Sequence, residues 1–187
     1  MAIRPPEPVV EALIRIRDDP AWPAGRPAPR GQMHVTVAFL GPVADAGALI
    51  RALGEAVGDA CASAGPASAR RVRLRGVGAF PSARRATVGW AGVDDGGLLA
   101  ALNRAVTGRV GELAGHRPAR PYHPHVTLVR FRRPVDLRAG LAALDAGVIG
   151  PAWSPAEAVL FESTTAAGGA RHTPVARFPL GSGPIAR

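Results

Sequence analysis

The residues best equipped for chemistry fall in two short stretches, His34-Val35-Thr36 and His125-Val126-Thr127, in opposite halves of a 187-residue chain. Each continues into β-branched and apolar residues, Val37-Ala38-Phe39-Leu40 and Leu128-Val129-Arg130-Phe131, without Pro or Gly, which predicts a strand. Side chains on a strand alternate between faces, so His34 shares a face with Thr36, and His125 with Thr127. At a rise of about 3.3 Å per residue, imidazole and hydroxyl stand about 6–7 Å apart along each strand, close enough to converge on one small anion. Two such strands facing each other make a cavity with two imidazoles and two hydroxyl donors. An unperturbed imidazole titrates near pH 6.5, so one ring can be neutral while the other is protonated. That pair suits general acid–base catalysis, each proton transfer typically being worth about 10² to 10⁴ in rate. The threonines then donate to the non-bridging oxygens of a phosphate and hold it in line. A lone His-x-Thr is ordinary core chemistry; a second copy in an equivalent context points to function.

Other readings of the same residues are weaker. His123-Pro124-His125, with His116 nearby, supplies imidazoles for a zinc site, but Pro124 and the lack of an adjacent carboxylate or Cys count against it. His116 and His172 read as surface residues, and His123 as a loop residue flanking the site. No Ser or Cys has a local activator; Cys61, the single cysteine, reads as a small buried hydrophobe.

The elements that must position these residues follow from periodicity and breakers. Ala2-Ile3-Arg4 reads as the tail of a strand cut short by Pro5-Pro6. A helix is predicted over Glu7 to Arg17, with Val9, Val10, Leu13, Ile14 and Ile16 at helical spacing. Asp18 to Arg30 holds Pro20, Pro23, Pro27 and Pro29 and reads as a surface loop before the first motif. A second helix, N-capped by Asp45, runs to Ala60. Arg71 to Arg75 alternates as a half-exposed strand, Gly76 to Pro81 turns, and Ala86 to Trp90 forms another strand. Gly96 to Gly115 is a helix with Leu98, Leu99, Leu102, Val106, Val110 and Leu113 on one stripe. Arg117 to Pro124 is a second loop leading into the second motif. Leu137 to Leu144 reads as a short helix or turn. Strands at Ala158 to Glu162 and Val175 to Leu180 close the chain, with a Gly/Thr loop to Gly169 between them and a fraying tail from Gly181. Each half thus offers a loop, a motif strand, a short helix and two further strands. Strands without regular crossover helices predict antiparallel sheets with helices outside, an α+β fold, and the duplication predicts two lobes whose motifs meet at a central cleft. The length fits one domain, residues 1–187, built of two similar lobes.

Composition sets wide limits. The chain is 47% hydrophobic and 20% charged, ordinary for a soluble domain with a core. It has no apolar run long enough to span a membrane, and its start, MAIRPPEPVV, lacks the apolar segment of a signal peptide. One cysteine excludes an internal disulfide and suits a reducing, cytoplasmic setting. The net charge of +9 permits a polyanionic partner. All 23 basic residues are Arg and none is Lys, the bias of GC-rich coding, so the charge does not establish an RNA partner.

The paired motifs, with their flanking residues, resemble the 2H phosphoesterase superfamily. The likeness is greatest to the bacterial and archaeal RNA 2′,3′-cyclic phosphodiesterases, also called 2′-5′ RNA ligases. It rests on Pro5-Pro6 and the following helix, HVTVAFLG from His34, Gly78-Ala79-Phe80-Pro81 before ATVGWAGV, PYHPHVTLVR from Pro121, Phe161-Glu162-Ser163, and the closing RFPL. The chain departs from the family's pattern at its start, where the first strand is short. The resemblance implies a bilobal, pseudo-symmetric α+β fold with two antiparallel sheets lining the cleft. It implies hydrolysis of 2′,3′-cyclic phosphate ends of RNA or nucleotides to 2′-phosphates, without metal or other cofactor and without an obligate protein partner, with 2′-5′ ligation as a side activity. By the same resemblance His34 protonates the departing 3′-oxygen, His125 activates water, and Thr36 and Thr127 bind the phosphate. The near-symmetric motifs themselves leave the acid and base interchangeable. Phe39 and Arg130 correspond to family residues near the nucleotide, yet each lies five residues after its histidine, on the opposite face of an ideal strand. A bulge, twist or strand end would bring them back. Phe80 either stacks on a base or packs in the core. Hydrolysis of another cyclic nucleotide-derived phosphate, or nucleotide binding without turnover, are the competing functions.

Overall fold

The computed structural model describes residues 1–66, 70–114, 121–144, 146–166 and 169–181. His116, most of the loop before Pro121, the 167–168 tip and the tail beyond 181 lie outside the described residues, as do the surroundings of Leu113. The architecture is α+β, with nine strands and four α-helices among the described residues. In chain order the elements are β1 (Ala2–Ile3), α1 (Glu7–Arg17), β2 (Arg26–Pro27), β3 (Val35–Thr36), α2 (Ala46–Ser63), β4 (Val72–Phe80) and β5 (Ala86–Asp94). Then come α3 (Leu98–Ala114), β6 (His125–Val135), α4 (Arg138–Leu144), β7 (Val148–Trp153), β8 (Glu157–Ala166) and β9 (Gly169–Pro179).

All pairings are antiparallel, and the sheet runs β7-β4-β5-β6-β3-β1-β8-β9, with β2 on β6. The two sheets expected from the sequence are continuous at the centre, where β3 pairs β6 through Val35 opposite Val126. The two motif strands are therefore neighbours in one ladder. The chain also crosses over: β4 and β5 follow the first motif in sequence but lie on the second motif's side of the sheet, β5 pairing β6 and β4 pairing β5, while β8 and β9 lie beyond the first.

The helices form where local signals and apolar stripes agree. In α1, Glu7 and Pro8 occupy the first turn, Arg15 and Arg17 the last, and Val9, Val10, Ala12 and Leu13 are buried. The Asp45 carboxylate caps α2 by accepting the Ala48 N–H at 2.8 Å. Leu98, Leu99, Leu102, Val106 and Val110 of α3 are buried. The strand edges differ more from expectation. The segment read as a turn, Gly76 to Phe80, continues β4 instead, with a register shift between Leu74 and Val77 taking up the irregularity. β2 lies within the segment read as a surface loop, and β7, with a Gly and a Pro in six residues, carries too little strand signal for any prediction there.

The Pro-rich loop before the first motif is anchored rather than loose. The Trp22 indole donates to the Ile16 carbonyl at 2.8 Å and packs against Gly89 of β5, where a Cβ would meet Trp22 Cζ3 at 2.5 Å. Gly25 approaches β6 just as closely, since a Cβ there would meet Val129 Cγ1 at 2.6 Å. This packing sets β2 against β6, with Arg26 opposite Arg130 and the Ala28 N–H donating to the Leu128 carbonyl at 2.7 Å.

Candidate active site

Only Val35 and Thr36 of the first motif form ladder, but that pair is held from several sides. Ala2 lies opposite Thr36 and Ile3 opposite Val35 in β1. Beyond the strand, the N–H groups of Val37 and Ala38 donate to the Met1 carbonyl at 2.9 and 3.2 Å. The Asn103 side chain of α3 donates to the Val37 carbonyl at 2.7 Å, and the Tyr122 hydroxyl to the Thr36 carbonyl at 2.9 Å. Burial raises the Tyr122 phenol well above its ordinary range, so it remains a donor. Asn103 and Tyr122 carry no motif of their own, and sequence reasoning missed them.

With Val35 opposite Val126, antiparallel counting sets His34 across from Thr127 and Thr36 across from His125. The four residues thus form a square with the histidines on one diagonal, about a local two-fold through the valine pair. All four line one cavity of about 250 Å³. Each ring is oriented by the same device. His34 Nδ1 donates to the Gln32 carbonyl at 2.7 Å, and His125 Nδ1 to the His123 carbonyl at 2.7 Å, in both cases two residues back. A carbonyl only accepts, so Nδ1 keeps its proton and Nε2 is the working nitrogen of both rings. In the neutral His34, Nε2 accepts from the Thr36 hydroxyl at 3.1 Å.

Burial governs the electrostatics. It pushes His34 down to about 4, with the Gln32 carbonyl opposing and the neighbouring His172 and His125 adding to the fall. His125 is also lowered, again mainly by burial, with the His123 carbonyl opposing and His123 and Arg130 adding charge of the same sign. Both rings are therefore neutral near pH 7 in the free protein. An anion in the cavity favours protonation of either.

The remaining predicted residues separate. Phe39 lines the cavity and is 78% exposed, which removes core packing as its reason. It escapes strand parity because β3 ends at Thr36. Arg130 also lines the cavity, and a bulge carries it there. Gly89 pairs with Val129 but Trp90 pairs with Thr127, leaving Leu128 as an extra residue in β6. Leu128 and Val129 are both buried, and alternation resumes one step out of phase with Arg130 exposed. Phe80 is not part of the cavity lining. Its ring packs edge-on to His125 with centroids 4.9 Å apart, in a cluster with Trp90 and His123.

His172, read from sequence as a surface residue, lies in the cavity wall, its ring edge-on to His34 at 5.3 Å between centroids. Ser163 Oγ, across the β8–β9 hairpin, lies 2.8 Å from His172 Nδ1. The Ser163 of the Phe-Glu-Ser stretch was the available signal, but only the hairpin register ties it to His172. His123 and His125, the core of the zinc alternative, have ring centroids 6.5 Å apart. Among the described residues no group of three His, Cys, Asp or Glu is placed to hold a metal ion. Cys61 is free and half-buried, with Sγ 3.8 Å from the Leu180 carbonyl.

Paired His-Thr units lining one cavity on an antiparallel α+β scaffold are the arrangement the sequence motifs predict for a phosphoesterase. The chain belongs to the 2′-5′ RNA ligase superfamily, whose family model matches residues 5–164. It is 33% identical over 139 residues to the RNA 2′,3′-cyclic phosphodiesterase of Aeropyrum pernix, covering 70% of this chain and 72% of that one. It is 32% identical over 137 residues to the protein of the same name from Thermus thermophilus, covering 67% and 62%. Among solved structures, it resembles Thermus thermophilus TT0787 with a TM-score of 0.75 at 27% identity, covering 97% of both chains. It resembles E. coli LigT in complex with 3′-AMP with a TM-score of 0.67 at 26% identity, covering 95% and 94%. No helix among the described residues is long and apolar enough to cross a membrane.

Proposed function

We propose that the chain is a cyclic phosphodiesterase that opens 2′,3′-cyclic phosphate ends of RNA or nucleotides to 2′-phosphates. The observation that carries this reading is the matched pair of Nδ1–carbonyl bonds, which commits both Nε2 atoms to the wall of one cavity. Two relatives named for this activity support the substrate class.

In the step itself, His125 Nε2 takes a proton from water as the water oxygen bonds to phosphorus. The bond from phosphorus to the 3′-oxygen breaks, and the Nε2 proton of His34 goes to that oxygen. The product carries a 2′-phosphate and a free 3′-hydroxyl, and the site resets when His125 gives its proton to solvent. His34 is neutral in the empty cavity, so it gains its proton as the anionic substrate arrives; the phosphodiester charge raises its pKa from about 4. His125 stays neutral and available as the base. Thr36 and Thr127 donate to the non-bridging oxygens, and Arg130 balances the charge that builds there. Phe39, exposed at the rim, offers a face for the base. Phe80 holds the His125 ring from behind and acts as a positioning residue. A 5′-hydroxyl in place of water gives a 2′-5′ linkage by the same step.

The test is incubation with 2′,3′-cyclic AMP in EDTA. Conversion to 2′-AMP is expected. Formation of 3′-AMP contradicts the assigned leaving oxygen, and saturable binding without product makes the chain a nucleotide-binding module instead.

A further inference from the structure

Next to the catalytic cavity lies a second, more open one of about 860 Å³, and the two share Arg26 and Arg130 in their walls. These arginines are directly opposite each other in the β2–β6 ladder. Like charges at facing positions destabilise a sheet unless an anion sits with them. Arg132 and Arg133 line the second cavity further along β6, and no Asp or Glu contributes to it. All four arginines are exposed, and none forms an ion pair with a carboxylate among the described residues. The strand edge adds to this. β3 covers Val126 and β2 covers Val129 and Arg130, but beyond Arg130 that side of β6 has no ladder partner among the described residues. Arg130 and Arg132 are about 6–7 Å apart along the strand, a spacing similar to that of successive phosphates in an extended nucleic-acid chain.

Arginine is abundant throughout this protein, so its presence here means little by itself. The placement is what matters: two arginines at facing ladder positions in the wall the two cavities share, and two more further along the second, with no acid in its lining. We propose that this groove is a backbone subsite that holds the internal phosphates of an RNA strand whose cyclic end occupies the catalytic cavity. The inference rests on the cyclic phosphodiesterase reading and sharpens it, because it makes an oligonucleotide rather than a mononucleotide the preferred substrate.

The experiment compares 2′,3′-cyclic AMP with a tetra-adenylate ending in 2′,3′-cyclic phosphate, for the wild type and the double variant Arg132→Gln/Arg133→Gln. Neither residue lines the catalytic cavity. The wild type is expected to turn over the tetranucleotide with a higher kcat/KM, and the variant to lose about tenfold on it with cyclic AMP turnover unchanged. In parallel, anisotropy of a labelled tetra-adenylate with a 2′-phosphate end measures binding without turnover. There the variant's plot of log affinity against log salt should be shallower by about 1.4, two phosphate contacts at about 0.7 each. Equal binding and equal salt slope in the two proteins overturn the groove, whatever the turnover. A weakened, shallower variant in a protein that turns over neither substrate overturns the catalytic reading and leaves the groove standing. Loss on both substrates alike overturns the groove as a separate subsite.

Discussion

A histidine becomes a directed acid or base only when one of its nitrogens is already occupied, and here both rings are fixed through Nδ1 by the carbonyl two residues upstream. His34→Ala and His125→Ala are each expected to lower kcat/KM by about 10² to 10⁴ while the circular dichroism spectrum is retained. Near-normal turnover in either variant contradicts the assignment. His172 makes a subtler contribution. Its ring is packed against His34 and helps to hold the latter's pKa down. In His172→Ala the loss of that neighbour moves the His34 titration upward from about 4, which imidazole NMR of the free protein reads directly. An unmoved titration means the two rings do not interact. The four motif residues were legible in the sequence because their meaning is local, a period-two pair repeated. His172 was not, because its relation to Ser163 and His34 exists only across strands.

At the scale of elements, irregularities do much of the positioning. Strict alternation turned Phe39 and Arg130 away from the site, and two departures bring them in: a strand that stops at Thr36 and one extra residue at Leu128. Neither leaves a clear mark in the sequence, since Leu128 and Val129 look like any buried strand pair. The helices were legible to within a few residues, because Pro5-Pro6, Asp45 and the apolar stripes state their limits locally. β7 was not, because a six-residue stretch with Gly150 and Pro151 has no alternating pattern, and the second half of β4 was not, because glycines that read as turn signals are tolerated inside a paired strand. The loop before the first motif depends on such a glycine. Gly89→Ala places a Cβ against the Trp22 ring, and overpacking of this kind costs about 1–3 kcal/mol. Chemical denaturation measures that loss, and kcat/KM is expected to fall with it because β2 and Arg26 shift. Unchanged stability and activity mean that Trp22 does not anchor the loop.

For the whole molecule, the buried His34 ring imposes a pH dependence on folding. His34 titrates at about 4 in the folded state and near 6.5 when unfolded, so the unfolded chain binds more protons across that window. The stabilisation is present above pH 6.5 and is lost as pH falls through about 4, by up to about 3 kcal/mol for a shift of this size. The wild type should therefore lose more stability than His34→Gln between pH 7 and 4; parallel curves contradict the buried, neutral ring. The antiparallel α+β class followed from the order of elements and the lack of crossover helices. The continuity of the sheet through β3 and β6 did not, because strand exchange between the two halves leaves no trace in either half alone. That continuity is what brings two distant imidazoles to one cavity. The most direct measurement is a titration of the free protein with 2′-AMP, following the imidazole nitrogens by long-range proton–nitrogen NMR. The Nε2 signals of His34 and His125 should move together along one binding curve, with His34 becoming protonated. Movement of one ring while the other stays still contradicts a shared phosphate.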